Sequence, residues 1–374
     1  MDEAQEWEAA GLYDPHAPTA ADRLALLQHL TARGATIDEM RRSQRDGRLA
    51  ALAGALVRAE GRTMLTPAEL ARAGIVDLDD YARIWRAAGL PVLSPDERGL
   101  TDLDADALAN FAVAASVFGE TEILQFTRVM GAALAAIAEA ATVLFGLAFG
   151  GPQTGTNASE MQQAAAFEDA SKMLVDVVPE VMRALFLQHI EQAGERYTAG
   201  GGDSVGATVA YLAVGFVDVV ESTPMVQRLP ADEIASAITE FEQRATETVS
   251  AHRGRVVKTI GDEVMFVTTT AADAAATAVE LVAFADAHPA IRGVRGSLAW
   301  GQLVRGYADF YGPVVNLAAR AVKEAQPGEV LAELEAVEQL RAVPGFRVGT
   351  PREVVLRGFG EPVVLWPIRH VEGA

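Results

Sequence analysis

Two carboxylates lie where a sheet would present them to solvent. Asp218 closes the apolar run of VGFVDVVEST, and Asp262 occupies the turn of KTIGDEVMF, a tight Gly-Asp connection of the kind that joins hairpin strands. Strand-end carboxylates on neighbouring strands can share a hard divalent cation, and a Mg²⁺ ion held this way is completed by substrate phosphates. A strand-end and a turn aspartate with no chemical task is the competing reading of either residue alone. Other chemistries are closed. The chain contains no Cys, so it has neither a thiol nucleophile, nor thiolate metal ligands, nor a disulfide framework. It has no GxxxxGK[ST] loop, and the glycines at 200–202 lack the strand-before, helix-after setting of a dinucleotide site, so they read as a linker.

The elements that must hold these carboxylates follow from a change of hydrophobic period after Asp203. VAYLAVGFV (209–217) reads as an apolar strand, followed by a helix over 232–252 and then by RVVKTI and EVMFVT around the Gly261-Asp262 turn. A helix over 271–287, the strand VRGSLAWG (294–301) and a helix opened by Gly312-Pro313 come next. This β-α-β-β-α-β order predicts an α+β domain close to the ferredoxin-like arrangement, with its helices on one face of the sheet.

At this point the residues carry a family likeness. FVDVVEST, VVKTIGDEVMF and YADFYGPVVNLAARAV, in this order and spacing, resemble the three active-site signatures of the class III nucleotidyl cyclases, over about residues 205–369. The resemblance implies a ferredoxin-like cyclase catalytic domain in which Asp218 and Asp262, assisted by the backbone carbonyl of Val219, bind two divalent metal ions, Mg²⁺ or Mn²⁺. It implies that Lys258 donates to an adenine ring nitrogen and Asp309 accepts from the exocyclic amine, which favours ATP over GTP. Asn316 would orient the ribose and Arg320 would neutralise phosphate charge; their spacing of four places both on one helical face. Family members build such sites between two catalytic domains, so one complete set per chain implies a homodimer with two composite active sites. The sequence departs from the family at Glu221 and Ser222, which replace a common Gly and an aromatic near the metal residues, and at Arg357, where many relatives carry a phosphate-contacting Lys.

The 374 residues, half of them apolar, suffice for two or three domains. Thirty-one basic against 51 acidic residues give a net charge of −20, which repels phosphate backbones, so no nucleic-acid partner is expected. The acidic start MDEAQEWEAAGLYDP lacks the basic and apolar regions of a secretory signal, which predicts a cytoplasmic protein. Residues 1–195 read as an all-α regulatory domain, 196–206 as a Gly-rich linker and 207–374 as the catalytic domain. Helical spacing runs through Leu24, Leu27, Leu30, Leu49, Leu52 and Leu56, then over 105–150 and 159–197. Thr66-Pro67 opens one short helix and Leu78–Ala88 forms another; the pair faintly suggests a helix-turn-helix and fits a small bundle better. The 19-residue apolar run 131–149 carries Glu139 at its centre, which disfavours a transmembrane segment. A dimer core or a fatty acid-binding groove explains the same residues, and helix packing alone suffices.

As a whole this half resembles the helical N-terminal domains of a soluble mycobacterial-type subgroup of these cyclases, which act as pH-responsive autoinhibitory modules. His189, on the helix leading into the catalytic domain, is the candidate sensor; His288, Glu191 and Glu195 are the other titratable candidates. The expectation is relief of inhibition by acid. The alternative class is a catalytically weak or inactive nucleotide-binding module, with the helix-turn-helix-like segment as a DNA-binding element.

Overall fold

The computed structural model describes residues 2–57, 60–149, 158–199, 208–220, 230–288, 290–291 and 293–371. Two compact units divide the chain, Met1–Leu187 and Gln188–Ala374.

The first unit is helical among its described residues, apart from one short ladder. Its helices are α1 (Glu3–Ala9), α2 (Ala20–Ala32), α3 (Ile37–Arg45), α4 (Leu52–Leu56), α5 (Pro67–Arg72), α6 (Leu78–Ala87), α7 (Asp102–Phe118), α8 (Glu120–Phe149) and the first part of α9 (Glu160–Ala199). The ladder pairs β1 (Met64–Leu65) with β2 (Leu100–Thr101). Capping boxes open three of the helices: Thr36 with Glu39, Thr66 with Glu69, and Thr101 with Asp104. One core gathers Trp7, Leu26, Leu27, Leu30 and Met40; a second gathers Leu70, Tyr81, Trp85, Leu108 and Leu124. The short helices α5 and α6 therefore pack into a small bundle, and the acidic first turn of α6, Asp79 and Asp80, would repel a phosphate backbone.

The helical pattern over 105–150 is broken at Gly119. Its φ of 95° lies in the left-handed region that glycine tolerates, and the break separates α7 from α8. Residues Glu120–Leu144 of α8, mean hydropathy 1.4, are long and apolar enough to cross a membrane by length and composition alone; 11% of the apolar window is buried. Phe126, Met130, Leu134 and Ile137 are exposed there, as are Val113, Val117 and Phe118 on α7.

A buried carboxylate ties α9 to α2. Glu168 accepts from Arg33 at 2.5 Å, Lys172 at 2.7 Å and His29 at 3.0 Å.

In the second unit α9 runs on through Gly194 to Ala199, and the glycine-rich segment 200–207 lies outside the described residues. Beyond it come β3 (Val209–Val219), α10 (Ala231–Ala251), β4 (Arg255–Ile260), β5 (Glu263–Thr268), α11 (Ala271–Ala287), β6 (Val294–Arg305), β7 (Phe310–Tyr311), α12 (Pro313–Glu324), β8 (Val330–Ala332), α13 (Leu334–Leu340), β9 (Phe346–Val348), β10 (Arg352–Val354) and β11 (Val363–His370). The sheet runs β10-β11-β8-β6-β3-β5-β4, with β7 on β6 and β9 on β11. Its β3, β4, β5 and β6 are antiparallel in the order β6-β3-β5-β4, the ferredoxin-like pattern.

The helices do not all lie on one face. Ala213 and Val217 of β3 pack with residues of α10, α11 and α13, whereas Ala210, Leu212, Val214 and Phe216 pack with Ala318 and Val322 of α12. Successive strand residues point to opposite faces, and β3 is apolar at both odd and even positions, so both faces require cover. The helix on the second face carries Asn316 and Arg320.

Candidate active site

β3 and β5 pair with Asp218 opposite Glu263, so the hairpin turn before β5 places Asp262 beside the end of β3. The Val219 N–H donates to the Asp262 carbonyl at 3.4 Å. Gly261 makes this turn possible at φ 65°, left-handed. The two strand-end aspartates thus meet at one corner of the sheet; Asp218 is buried, 4% exposed, and Asp262 is half-buried.

Burial of the Asp218 carboxylate is compensated. Its Oδ2 accepts from Arg295 Nε at 2.9 Å and Nη2 at 2.8 Å, and its Oδ1 accepts from Lys323 Nζ at 2.9 Å. Lys323 also reaches Glu263 at 2.6 Å. Burial pulls this lysine down, but the carboxylates of Glu263 and Asp218 outweigh it and hold Lys323 above the ordinary lysine range. Neither Arg295 nor Lys323 was singled out in the sequence. Arg295 lies directly across the β3–β6 ladder from Asp218, and a basic residue near the start of a neighbouring strand was the available signal.

Two carboxylates and a main-chain carbonyl on adjacent strands are hard oxygen donors. Among the described residues no group of three or more His, Asp or Glu forms a closed metal cage. The donor set fits a Mg²⁺-type ion, which takes one or two carboxylates and leaves its other positions to phosphate and water.

Lys258 and Asp309 are brought together: Nζ to Oδ2 is 2.5 Å, and both are half-buried. Lys258 sits on β4 just after a register shift between Val256 and Lys258. Asp309 precedes β7, and its Oδ1 accepts from the Phe310 N–H at 2.8 Å, which fixes the other oxygen toward the lysine.

Asn316 and Arg320 project from α12 and are exposed. Among the described residues neither side chain has a hydrogen-bond or ion-pair partner, and no contact joins them to Asp218 or Asp262. Arg357 is exposed in the segment after β10, beside the buried Leu356. His189 is exposed on α9 with no partner among the described residues. Glu221 and Ser222 lie outside the described residues.

Comparison with known proteins places these observations in context. The family model described as "Adenylate cyclase regulatory domain" matches residues 5–193. An uncharacterized protein of Mycobacterium tuberculosis is 32% identical over 96% of this chain and 93% of its own. An adenylate cyclase of Glutamicibacter nicotianae is 28% identical over 78% of this chain and 76% of its own. A pH-sensitive adenylate cyclase of Mycobacterium tuberculosis is 29% identical over 94% of this chain and 88% of its own.

Proposed function

The chain belongs to the class III adenylate cyclases that carry an N-terminal regulatory domain, and we propose how its residues divide the cyclisation of ATP to 3′,5′-cyclic AMP and pyrophosphate. The observation that carries the assignment is the Lys258–Asp309 pair at 2.5 Å, a donor and an acceptor fixed side by side. Lys258 donates to an adenine ring nitrogen and Asp309 accepts from the exocyclic amine. Guanine presents the opposite polarity at that edge, so the pair selects ATP.

Asp218, Asp262 and the Val219 carbonyl hold two divalent ions, Mg²⁺ or Mn²⁺, which when bound lower the pKa of the ribose 3′-hydroxyl and bind the phosphates. Asn316 orients the ribose for in-line attack on the α-phosphorus. Arg320 supplies fixed positive charge where negative charge grows on the phosphates. Arg357 adds a second cation on the phosphate side.

Asn316 and Arg320 come from a second copy of the chain. Their exposure and lack of partners within one chain fit a site completed by dimerisation. The exposed apolar residues of α7 and α8 supply further surface for pairing; lipid copurifying with the full chain would reassign that surface to an acyl ligand. Complementation tests the composite site. Asp218→Ala and Arg320→Ala chains, each inactive, form a heterodimer with one intact site, so an equal mixture recovers roughly a quarter of wild-type cyclic AMP formation. Recovery no greater than either variant alone would remove the shared-site reading, and an inactive wild type would return the chain to the binding-module class.

The regulatory half inhibits the catalytic half at neutral pH and releases it in acid, with His189 as a sensor. The motivating observation is the pH-sensitive relative. Cyclic AMP formation by the full chain at about pH 5.5 and about pH 8, in wild type and His189→Ala, tests this; identical profiles would exclude His189.

A further inference from the structure

Three arginines converge in the second unit away from the phosphate-binding residues assigned above. Arg196 lies on the last turns of α9, Arg255 opens β4 and Arg305 closes β6. All three line one cavity of about 130 Å³, floored by Leu212 and walled by Tyr197 and Phe310.

Among the described residues none of the three is hydrogen-bonded to a carboxylate; Glu195 acts on Arg196 and Asp309 on Arg255 only through space. Arg255 donates to the Ala308 carbonyl at 2.5 Å, and Arg305 donates to the carbonyls of Arg196 at 3.4 Å and Tyr197 at 3.2 Å. Arg305 Nη1 is buried without a partner. Arg196 makes no side-chain hydrogen bond among the described residues. The guanidinium planes are instead set by rings: Arg305 stands 4.3 Å from the Tyr197 centroid and Arg255 5.7 Å from that of Phe310. Burial holds each of the three below the usual guanidinium range, and for Arg196 the charge of Arg255 adds to it.

Three cations in one recess, none hydrogen-bonded to a carboxylate and two of them balanced only through space by Glu195 and Asp309, are costly unless an anion joins them. Arginine forks match the oxygens of a tetrahedral oxyanion two at a time. We propose that Arg196, Arg255 and Arg305 form a binding site for a phosphoryl dianion, either free phosphate or the phosphate of a small monoester. The apolar floor and the exposed Tyr197 ring leave room for the organic part of a monoester.

The site is connected to the base-reading pair by short covalent paths. Arg255 lies three residues before Lys258 on the same strand, and the carbonyl it holds belongs to Ala308, next to Asp309. Drawing Arg255 toward an anion therefore acts on both members of that pair. This consequence rests on the cyclase assignment; the binding itself does not.

The test is calorimetric titration of the full chain with sodium phosphate and with phenyl phosphate, at constant ionic strength and in EDTA, so that no divalent ion recruits phosphate to the aspartates. Wild type binds, and Arg196→Gln and Arg255→Gln each weaken binding at least about tenfold, while Arg320→Ala binds as wild type does. Circular dichroism confirms that the variants fold; Arg196→Gln breaks no hydrogen bond of the fold. Tighter binding of phenyl phosphate identifies a monoester site, and equal binding identifies a phosphate site. No binding by wild type, or binding lost in Arg320→Ala and kept in Arg196→Gln, overturns the proposal and leaves the cyclase assignment standing, because no step of catalysis is read.

Discussion

Lys258 Nζ and Asp309 Oδ2 are 2.5 Å apart although 51 residues separate them in the chain. Lys258 is held on β4 and Asp309 in the connection just before β7 of the same sheet, so the donor and acceptor assigned to adenine are set before any nucleotide arrives. Each orients the other, and the base competes with an existing ion pair rather than ordering two free side chains.

Base selectivity should therefore be lost from either side. Asp309→Ala and Lys258→Ala are expected to lower kcat/KM for ATP by about 10- to 1,000-fold and to narrow the ATP-to-GTP preference by about 10-fold or more. The pair is half-exposed, so melting temperatures should move little. Steady-state rates on both nucleotides, with thermal melts alongside, check both halves; an unchanged ATP-to-GTP ratio would exclude the pair as the base reader.

The two metal-site aspartates should separate in stability while agreeing in activity. Asp218→Ala strands Arg295 beside a buried corner and leaves Lys323 paired with Glu263 alone, which is expected to cost about 2–4 kcal/mol, the lower end because Lys323 keeps both that carboxylate and contact with water. Asp262→Ala removes a half-buried turn carboxylate with no side-chain partner among the described residues, and should cost about 1 kcal/mol or less. Both should abolish cyclic AMP formation. Denaturant unfolding of the two variants decides the point, and equal losses would mean that the ion-pair network does not stabilise the corner.

How much of this corner could be read from the chain depends on the kind of information each residue carries. Asp218 and Asp262 stand out locally, because an apolar run ends at one and a Gly-Asp turn holds the other. Lys258, Asp309, Asn316 and Arg320 emerge through the family signatures, in which spacing stands in for geometry. Arg295 and Lys323 do not emerge, since what makes them site residues is the register of β3 on β6 and the face on which α12 packs, and register is a non-local property. The placement of α12 on the second face was in principle legible: VAYLAVGFV is apolar at both parities, the pattern of a strand covered on both sides. The break at Gly119 was not, because the apolar helical pattern continues across it and the left-handed φ of one glycine leaves no trace in periodicity.

Glu333 should make the second unit less stable as pH rises toward neutrality. Burial pushes its carboxyl up to about 7, the Glu335 carboxyl beside it adds to this, and the N–H groups of Trp300, Ala336 and Glu335 oppose it. Between the ordinary value of 4.5 and about 7 the folded state holds a proton that the unfolded state has released. Stability then falls with rising pH across that window, being fully present below it. Thermal melts across the window should show Glu333→Gln flattening this dependence; a wild-type slope retained in the variant would assign it to other groups.

Glu168 should give the first unit the opposite dependence. Burial raises its carboxyl, but Lys172, His29 and Arg33 outweigh that and hold it below the ordinary value of 4.5. The unfolded chain therefore takes up a proton first as pH falls, so the stabilisation is present above about 4.5 and is lost as pH drops through the lower folded value. Glu168→Gln removes the charge that Arg33 and Lys172 share, with an expected loss of about 2–4 kcal/mol at neutral pH, discounted because both cations are partly exposed. Hydrogen exchange in α2 and in the first turns of α9 reads the effect locally: the variant should exchange faster at pH 7 and respond less to acid than wild type. Equal protection in the two proteins would mean that the network orders side chains without holding the helices together.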